Sequence, residues 1–386
     1  MDDSKRHFKP APQTLSISDL PSDVQILISS YTKEIFSKWH ILSRKMATMT
    51  HYDNECKRRG TWLSWHDNGR IFRSVHMRND EAYGEHKEWS DNGQLVLKTF
   101  MTPNGATGDY FQWYENGQME MKCFLNNGKE EGVYDEWYDN GQRRVKCFFI
   151  NGKQEGERLV WHDNGQLFVK CQRKNDLFEG EYRSWHPNGQ LRVEKRLEKG
   201  KEVGEYKRFY DNGQIEIQCF KEKDKQNGPY IQWYKNGQME LKCMLKDGLE
   251  VGEYYEWFDN GQTKIRCFFI KGKQQGQRRV FYDNGQLRVE GIMKDGKWDG
   301  LLKGWCYSGQ LTSEKHMLDG VINGECKEWY NNGQIKTHCF KVNGLKQGEY
   351  KLWSANGILL DWSMFKDDQR IERLSNLVQA EVPITL

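Results

Sequence analysis

The chain has 386 residues, a formal net charge of +3 and a mean hydropathy of −0.92, with 37% apolar residues and 37 glycines. This composition supplies too little apolar volume for several thick cores, and no segment approaches the roughly 20 apolar residues that span a bilayer. Residues 1–60 hold ten Lys and Arg against seven Asp and Glu, whereas residues 61–386 hold 48 of each. Because a nucleic-acid binder normally carries a basic stripe, we expect no nucleic-acid partner.

Residues 1–15 are polar and proline-bearing, and we interpret them as a disordered tail. They contain no apolar stretch of a secretory signal, so we expect a cytoplasmic protein that is not secreted. Residues 16–58 instead predict two helices, because Ser22 and Gln25 form a capping box before an apolar periodic run. The apolar faces of these helices comprise Val24, Leu27, Ile28 and Tyr31 in the first and Ile35, Phe36, Trp39, Leu42 and Met46 in the second.

The opening of this helical segment, Asp19-Leu20-Pro21-Ser22-Asp23-Val24, resembles a degenerate F-box. The resemblance implies that the segment binds a Skp1-type subunit of a ubiquitin ligase. The positions that match are Leu20, Pro21, Val24, Ile28, Tyr31, Trp39 and Leu42. The alternative is an amphipathic cap that closes the edge of the repeat array that follows, since repeat arrays need a terminal unit of this kind.

A turn glycine recurs every 24 residues, without insertion, along residues 59–365. A fixed period of this length is typical of repeat architectures, in which each repeat buries its apolar side chains against its neighbours. The thirteen glycines are Gly69, Gly93, Gly117, Gly141, Gly165, Gly189, Gly213, Gly237, Gly261, Gly285, Gly309, Gly333 and Gly357.

Each repeat predicts a β-hairpin, because aromatic and β-rich runs flank pairs such as Asn116-Gly117, for which we expect a type I′ turn. A second turn, such as Asn127-Gly128, follows, so the hairpins join into an antiparallel meander. Two-residue turns would place Tyr110 opposite Cys123 and Met121 opposite both Gln112 and Tyr134. Successive repeats would then slip by two residues, so we expect either β-bulges or a coiled sheet.

The pattern Gly-Glu-Tyr-x-x-Trp-Tyr-x-Asn-Gly-Gln-x-x-x-Lys-Cys-Phe resembles the variant class of the MORN repeat, as in Gly252–Gln262 and Gly324–Gln334. The resemblance covers about residues 60–365, and it departs from the pattern at single positions such as Lys195 and Lys315, which replace Cys. It implies a mainly β, elongated array of about thirteen antiparallel hairpins that acts as a scaffold or docking surface. A phospholipid-binding role has been proposed for some members of the family. An F-box followed by such repeats also resembles proteins of large DNA viruses of amoebae, which would place the chain in a host cytoplasm.

Seven of the ten cysteines share one repeat position, so their spacing is a multiple of 24 and fits no metal site. Equivalent residues on successive hairpins lie about 9.6 Å apart, beyond the reach of a disulfide, so we interpret these cysteines as buried packing residues in a reducing compartment. His66, His162 and His186 replace Tyr and are expected to pack as aromatic rings. No spacing indicates catalytic, cofactor-binding or metal-binding residues, so we expect no enzyme and no cofactor.

A Trp or Phe occupies one position in all thirteen repeats, on the face opposite the Tyr, Met and Cys residues. It could form a docking stripe for a peptide, with Arg144 or Arg288 stacked on an indole. Alternatively, sheet twist could leave the rings partly buried. The stripe comprises Trp113, Trp137, Trp161, Trp185, Trp233 and Trp257.

Residues 366–386 complete the chain, and the spacing of Ile371, Leu374, Leu377 and Val378 predicts a helical cap. Two functions remain open: a protein-interaction scaffold that holds a target on its repeats, or a membrane-surface scaffold that binds acidic phospholipid. The balanced charge of the repeats disfavours the second.

Overall fold

The computed structural model describes residues 49–52 and 57–374, and the chain divides into two compact units, Met1–Glu155 and Gly156–Leu386. The described residues form thirty β-strands and no helix. The mainly β, antiparallel hairpin fold predicted from the sequence is therefore confirmed. The predicted tail at 1–15 lies outside the described residues, as do the F-box-like positions Leu20, Pro21, Val24, Ile28, Tyr31, Trp39 and Leu42.

In the first compact unit, strands pair antiparallel with their neighbours along the chain, and the two-residue strand at 105–106 shares its partner with the strand that follows it. Its first strand lies in the segment predicted to be helical and pairs with the second strand, so the sheet begins before residue 59. The strands are β1 (Met49–Tyr52), β2 (Arg58–Trp65), β3 (Ile71–Arg78), β4 (Glu81–Trp89), β5 (Leu95–Thr102), β6 (Gly105–Ala106), β7 (Gly108–Trp113), β8 (Met119–Asn126), β9 (Lys129–Trp137) and β10 (Arg143–Ile150), and β11 (Lys153–Trp161) crosses the division.

The second compact unit continues with the same antiparallel order. Its strands are β12 (Leu167–Lys174), β13 (Leu177–Trp185), β14 (Leu191–Glu198), β15 (Lys201–Phe209), β16 (Ile215–Glu222), β17 (Lys225–Trp233), β18 (Met239–Lys246), β19 (Leu249–Trp257), β20 (Thr263–Ile270), β21 (Lys273–Phe281), β22 (Leu287–Lys294), β23 (Lys297–Trp298), β24 (Gly300–Trp305), β25 (Leu311–Leu318), β26 (Val321–Trp329), β27 (Ile335–Val342), β28 (Leu345–Trp353), β29 (Leu359–Lys366) and β30 (Gln369–Arg373).

The first turn of each repeat is longer than the predicted two-residue type I′ turn. In the Asn116-Gly117 pair only Gly117 has a positive φ, of 85°. The Gly117 N–H donates to the Tyr114 carbonyl at 2.9 Å, and the Tyr114 N–H donates to the Gln118 carbonyl at 2.9 Å. This is a three-residue loop that ends on a left-handed glycine. The type I′ prediction was therefore wrong at this turn.

The second turn of each repeat does adopt the two-residue form. Asn127 and Gly128 have φ values of 51° and 76°, as a type I′ turn requires, and the turn pairs Asn126 with Lys129. Asp367 and Asp368 have φ values of 50° and 64° at the equivalent turn. The repeat pattern thus continues where glycine is missing, since Asn and Asp tolerate this conformation.

Two β-bulges per repeat absorb the slip expected from the turns. Tyr110 faces Cys123 and Gln112 faces Met121, as predicted, but Trp113 then pairs with Met119 across a bulge. Beyond the second turn, Met121 faces Glu136 and not the predicted Tyr134. The register shifts there beside Gly132, whose φ is 78°. The alternation of side chains between the two faces could not reveal this bulge. The bulge shifts the register by two residues, so each side chain stays on the face predicted for it.

The C-terminal segment differs from the predicted helix. Gln369–Arg373 forms β30, which pairs antiparallel with β29 after the Asp367-Asp368 turn. The spacing of Ile371 and Leu374 suggested a helix, but the turn chemistry of the two aspartates determines the local structure. The rest of the predicted cap, including Leu377 and Val378, lies outside the described residues.

Side-chain hydrogen bonds hold each first turn against the next one. The Asn116 Nδ2 donates to the Asp139 carbonyl at 2.8 Å, while its Oδ1 accepts from the Gln118 N–H at 2.9 Å. The Tyr114 hydroxyl donates to the Trp137 carbonyl at 2.8 Å. Both inter-repeat bonds join residues 23 positions apart, so an inserted residue between the turns would break them.

Candidate interaction surface

Each strand that follows a first turn presents two different faces. In β10, Val145 and Cys147 are buried, at 5% and 4% exposure, whereas Lys146 and Phe148 between and after them are exposed. Side chains alternate between the two sides of a strand, so the sheet has an inner face that carries Cys147 and an outer face that carries Phe148. We use these two names for the equivalent faces of every repeat.

The inner face carries the cysteine row, formed by the seven cysteines that share one repeat position. All seven are free and buried, as predicted from their spacing. Burial raises the pKa of the Cys123, Cys243 and Cys267 thiols to about 11, so these groups are protonated and unreactive at neutral pH. The row comprises Cys123, Cys147, Cys171, Cys219, Cys243, Cys267 and Cys339.

Tyrosine rings pack beside the cysteine row on the inner face. Tyr134 lies opposite Cys147, and its ring centroid is 5.5 Å from that of Phe149. Burial raises the pKa of the Tyr134 hydroxyl. Around these residues the inner face is therefore a packed layer of rings and small thiols.

The outer face carries a row of exposed apolar side chains, which we call the Phe row. Each member directly follows the cysteine position in its strand and so points to the opposite side. These side chains are between 42% and 49% exposed, and large apolar groups exposed in a series are candidates for binding. The row comprises Phe100, Phe124 and Phe148 in the first compact unit and Phe220, Met244, Phe268, Ile292 and Phe340 in the second.

Five of the six phenylalanines face a carboxylate on the preceding strand. Phe100 lies opposite Glu85, and Phe220 lies opposite Glu205. The remaining pairs are Phe124 with Asp109, Phe268 with Glu253 and Phe340 with Glu325. Apolar and acidic groups thus alternate along the outer face, and a partner must match both.

Lysines flank these carboxylates and keep them ionised. The Lys87 Nζ lies 2.6 Å from Glu85, and the Lys207 Nζ lies 2.8 Å from Glu205. Hydrogen bonds from these lysines lower the pKa of both glutamates. Both carboxylates remain half exposed, so an incoming cation can still reach them.

The proposed tryptophan stripe lies on the outer face, but its rings are only partly exposed. The Trp113 ring stacks on Phe111 at 5.8 Å, and the Trp257 ring stacks on Tyr255 at 5.6 Å. These stacking partners lie two residues away on the same strand and cover part of each indole. All six residues, Trp113, Trp137, Trp161, Trp185, Trp233 and Trp257, are of intermediate exposure.

The arginines expected beside the indoles contact tyrosines. The Arg144 guanidinium lies over the Tyr138 ring at 5.6 Å, and that of Arg288 lies over the Tyr282 ring at 5.5 Å. Each arginine is the extra residue of the bulge next to the first turn, which directs its side chain toward the turn tyrosine.

The histidines that replace the turn tyrosine take over its hydrogen bond. The Nε2 atoms of His66, His162 and His186 lie 2.8, 3.3 and 3.0 Å from carbonyls 23 residues further along the chain. A carbonyl only accepts, so Nε2 carries the proton in each ring. These side chains are therefore structural donors in addition to the packing groups predicted from the sequence.

Within the residues that the structure describes, no group of three or more His, Cys, Asp or Glu side chains is placed to hold a metal ion. A surface depression of about 520 Å³ lies on the outer face around Glu325, His338 and Phe340. The His338 Nε2 lies 2.9 Å from the Glu325 carboxylate there. No helix of the described chain is long and apolar enough to cross a membrane.

The Phe row is not among the residues predicted from the sequence. The signal was present in the Lys-Cys-Phe part of the repeat pattern, because a residue next to a buried cysteine must point to the other side of the strand. Only the structure separates the partly covered tryptophans from the more exposed phenylalanines.

Six segments of the chain match the family model described as the MORN repeat variant, and such repeats commonly serve as protein- or membrane-interaction modules. The matched segments are residues 106–127, 154–175, 178–196, 202–221, 274–295 and 322–340. No curated protein matches the chain significantly.

Two solved structures are similar to this chain, "Crystal Structure of TcdB2-TccC3" and "Crystal Structure of TcdB2-TccC3-Cdc42". Each has 11% sequence identity and a TM-score of 0.16 over 83% of this chain. The chain spans only 19% and 18% of the lengths of those two chains.

Proposed function

We propose that this chain is a non-enzymatic scaffold that binds protein partners along the Phe row of its outer face. The observation that carries the proposal is the series of phenylalanines that are nearly half exposed and recur with the repeat period. Exposure of these apolar side chains to water is unfavourable, and a partner that covers them removes this cost in free energy. We also propose a cytoplasmic location, as expected from the sequence.

The spacing and charge of the row favour one class of partner, an extended segment in the polyproline II conformation. Within a run of adjacent repeats, such as the one from Phe220 to Ile292, members of the row are two strands apart, or about 9.6 Å. A polyproline II helix repeats every three residues, or about 9.3 Å. Every third side chain along one edge of it can therefore contact one member of the row. The carboxylates opposite Phe220 and Phe268 add a preference for basic side chains, Arg in particular.

The test uses a fluorescent peptide of repeated Pro-Pro-Arg triplets, about twelve residues long, with the full-length protein. We expect the double variant Phe220→Ser and Phe268→Ser to bind at least about tenfold more weakly, which corresponds to about 1.4 kcal/mol. The matched control is Leu249→Ser with Ile270→Ser, because these side chains are 50% and 53% exposed in the same compact unit but lie outside the row.

Two further arms separate this proposal from its alternatives. A peptide of repeated Gly-Ser-Arg triplets with equal length and charge should bind more weakly. Equal binding of the two peptides would mean that charge alone accounts for the interaction. Vesicles that contain phosphatidylserine test the membrane-surface alternative. If the vesicles bind through the Phe row and the Pro-Pro-Arg peptide does not, the chain is a membrane scaffold and the proposal of a protein partner is wrong.

A second proposal concerns the F-box-like segment, which would recruit a Skp1-type subunit while the repeats hold a target. It rests on the Leu20-Pro21 opening and the apolar face that contains Val24, Ile28 and Tyr31. Ile28→Asp should abolish Skp1 binding in a purified assay, because an interface that buries an unpaired carboxylate loses several kcal/mol. Ser29→Asp serves as a control for added charge off this face. Absence of Skp1 binding by the wild-type protein would contradict the proposal.

A further inference from the structure

Two thiols face each other on the inner face of β26 and β27. Cys326 pairs directly with Cys339, and both side chains are buried, at 4% and 7% exposure. Elsewhere the residue opposite the cysteine row is larger: Tyr206 faces Cys219, and Tyr254 faces Cys267. Cys326 replaces this tyrosine. Among the described strand pairs, it is the only thiol that lies directly opposite a member of the cysteine row.

The backbone geometry of this pair suits a disulfide. Directly opposed residues of an antiparallel sheet have Cα atoms about 4.5 to 5.5 Å apart, and disulfides span about 4.4 to 6.8 Å. The two side chains point to the same side of the sheet. Closing the bond therefore needs no change of register, in contrast to the 9.6 Å between members of the cysteine row on successive hairpins.

The environment of Cys326 favours its thiolate. Lys315 lies opposite Cys326 on the other neighbouring strand, and Lys341 contributes a second positive charge. Interaction with the Cys339 thiol, opposed by burial and aided by these lysines, lowers the pKa of Cys326. The same interaction raises the pKa of Cys339. The carboxylate of Glu328 lies nearby and binds the Lys315 ammonium at 3.1 Å.

We propose that Cys326 and Cys339 are a redox-active dithiol that hydrogen peroxide converts to a cross-strand disulfide. The Cys326 thiolate attacks one peroxide oxygen, the O–O bond breaks, and a sulfenic acid and one water form once the leaving oxygen takes up a proton. The Cys339 sulfur then attacks the Cys326 sulfur, the S–O bond breaks, and its oxygen leaves as a second water with the remaining thiol proton. Two thiols are oxidised by two electrons, and one peroxide is reduced to two waters. Burial of both sulfurs excludes bulky oxidants.

The test treats the reduced full-length protein with hydrogen peroxide under native conditions, alkylates the remaining thiols in denaturant and identifies the digested peptides by mass spectrometry. We expect a linked species that joins residues 326 and 339, lighter by two hydrogens than its reduced form and reversed by dithiothreitol. Cys339→Ser should leave the sulfenic acid at Cys326 without its resolving partner, so dimedone labels Cys326 in this variant and not in the wild type.

Cys326→Tyr is the matched control for folding. It recreates the arrangement of Tyr206, which lies between Lys195 and Cys219 as Cys326 lies between Lys315 and Cys339. This variant should unfold at an unchanged urea midpoint and form no link. The proposal is overturned if the native wild type shows no link between residues 326 and 339, or if the link appears only after denaturation.

Discussion

Lys195 illustrates how a single residue changes the inner face. It occupies the cysteine position of its repeat, opposite Tyr182, and its ammonium lies 4.9 Å from the centroid of that ring. The Glu202 carboxylate accepts from Lys195 at 2.6 Å and from Lys221 at 3.1 Å, and these three side chains are only about a fifth exposed. Each charge in such a cluster is tolerated because the others are present.

Removal of the carboxylate alone should therefore destabilise the second compact unit. We expect Glu202→Gln to lower the free energy of unfolding by about 3 kcal/mol, because two partly buried ammonium groups lose their shared counter-ion. Lys195→Cys restores the usual residue and leaves Glu202 paired with Lys221, so its effect should stay within about 1 kcal/mol. Urea unfolding followed by tryptophan fluorescence measures both, and a neutral Glu202→Gln would show that the cluster adds nothing.

The same cluster predicts a pH dependence. Burial acts to raise the pKa of Glu202, but the hydrogen bonds from Lys195 and Lys221 outweigh it, and the pKa lies below its usual 4.5. A group with a lowered folded-state pKa stabilises the protein above its unfolded pKa and loses this contribution as the pH falls through the folded value. Stability should thus fall below about pH 4.5, and Glu202→Gln should flatten this dependence.

At the scale of the element, the bulge that follows each second turn is the main determinant of register. Gly132 adopts a φ of 78° at this bulge, and equivalent glycines such as Gly180 and Gly252 adopt 77° and 79°. A Cβ added to Gly132 would meet no atom within 4 Å. The glycine is therefore needed for its backbone conformation and not for space.

This distinction predicts different outcomes for two substitutions. Gly132→Ala should destabilise the first compact unit by about 1 kcal/mol, because alanine is strained at positive φ, whereas Gly132→Asn should cost less, since asparagine tolerates this region. Urea midpoints of the two variants provide the comparison. Equal losses for Ala and Asn would mean that contacts of the added side chain, and not backbone strain, set the cost.

At the scale of the whole molecule, the 24-residue period predicted the hairpins and their burial pattern but not the β-bulge after the second turn or the strand at the C-terminal end. The hairpin meander, the Tyr110–Cys123 register and the burial of the cysteine row follow from turn spacing and alternation. The Met121–Tyr134 pairing was wrong, and so was the helix predicted over residues 369–373. A bulge and an Asp-Asp turn act through backbone dihedrals that apolar spacing does not encode. The Phe row was implicit in the pattern, but its greater exposure than the tryptophans depends on stacking between neighbouring rings.

The positions of the thiols on the inner face and in a turn predict their order of reactivity within the described residues. Cys306 lies in a first turn, where it is partly exposed and its Sγ is 3.1 Å from the Ser308 hydroxyl, an interaction that lowers its pKa. The cysteine row is buried, and burial raises the pKa of thiols such as Cys243 to about 11. Accessible thiolate is the species that reacts, so Cys306 should be alkylated first.

We therefore expect N-ethylmaleimide to modify Cys306 in the native protein at neutral pH and to reach the cysteine row only on unfolding. Replacement of Cys56 by Ser in every sample restricts the measurement to described residues, and Cys306→Ser should then remove the rapid phase entirely. Labelling sites and rates are read by mass spectrometry at successive times. Rapid native labelling of Cys147 or Cys243 would mean that the inner face opens to solvent faster than a packed sheet allows. A reagent as bulky as N-ethylmaleimide reaches a buried thiol only when the strands that cover it open.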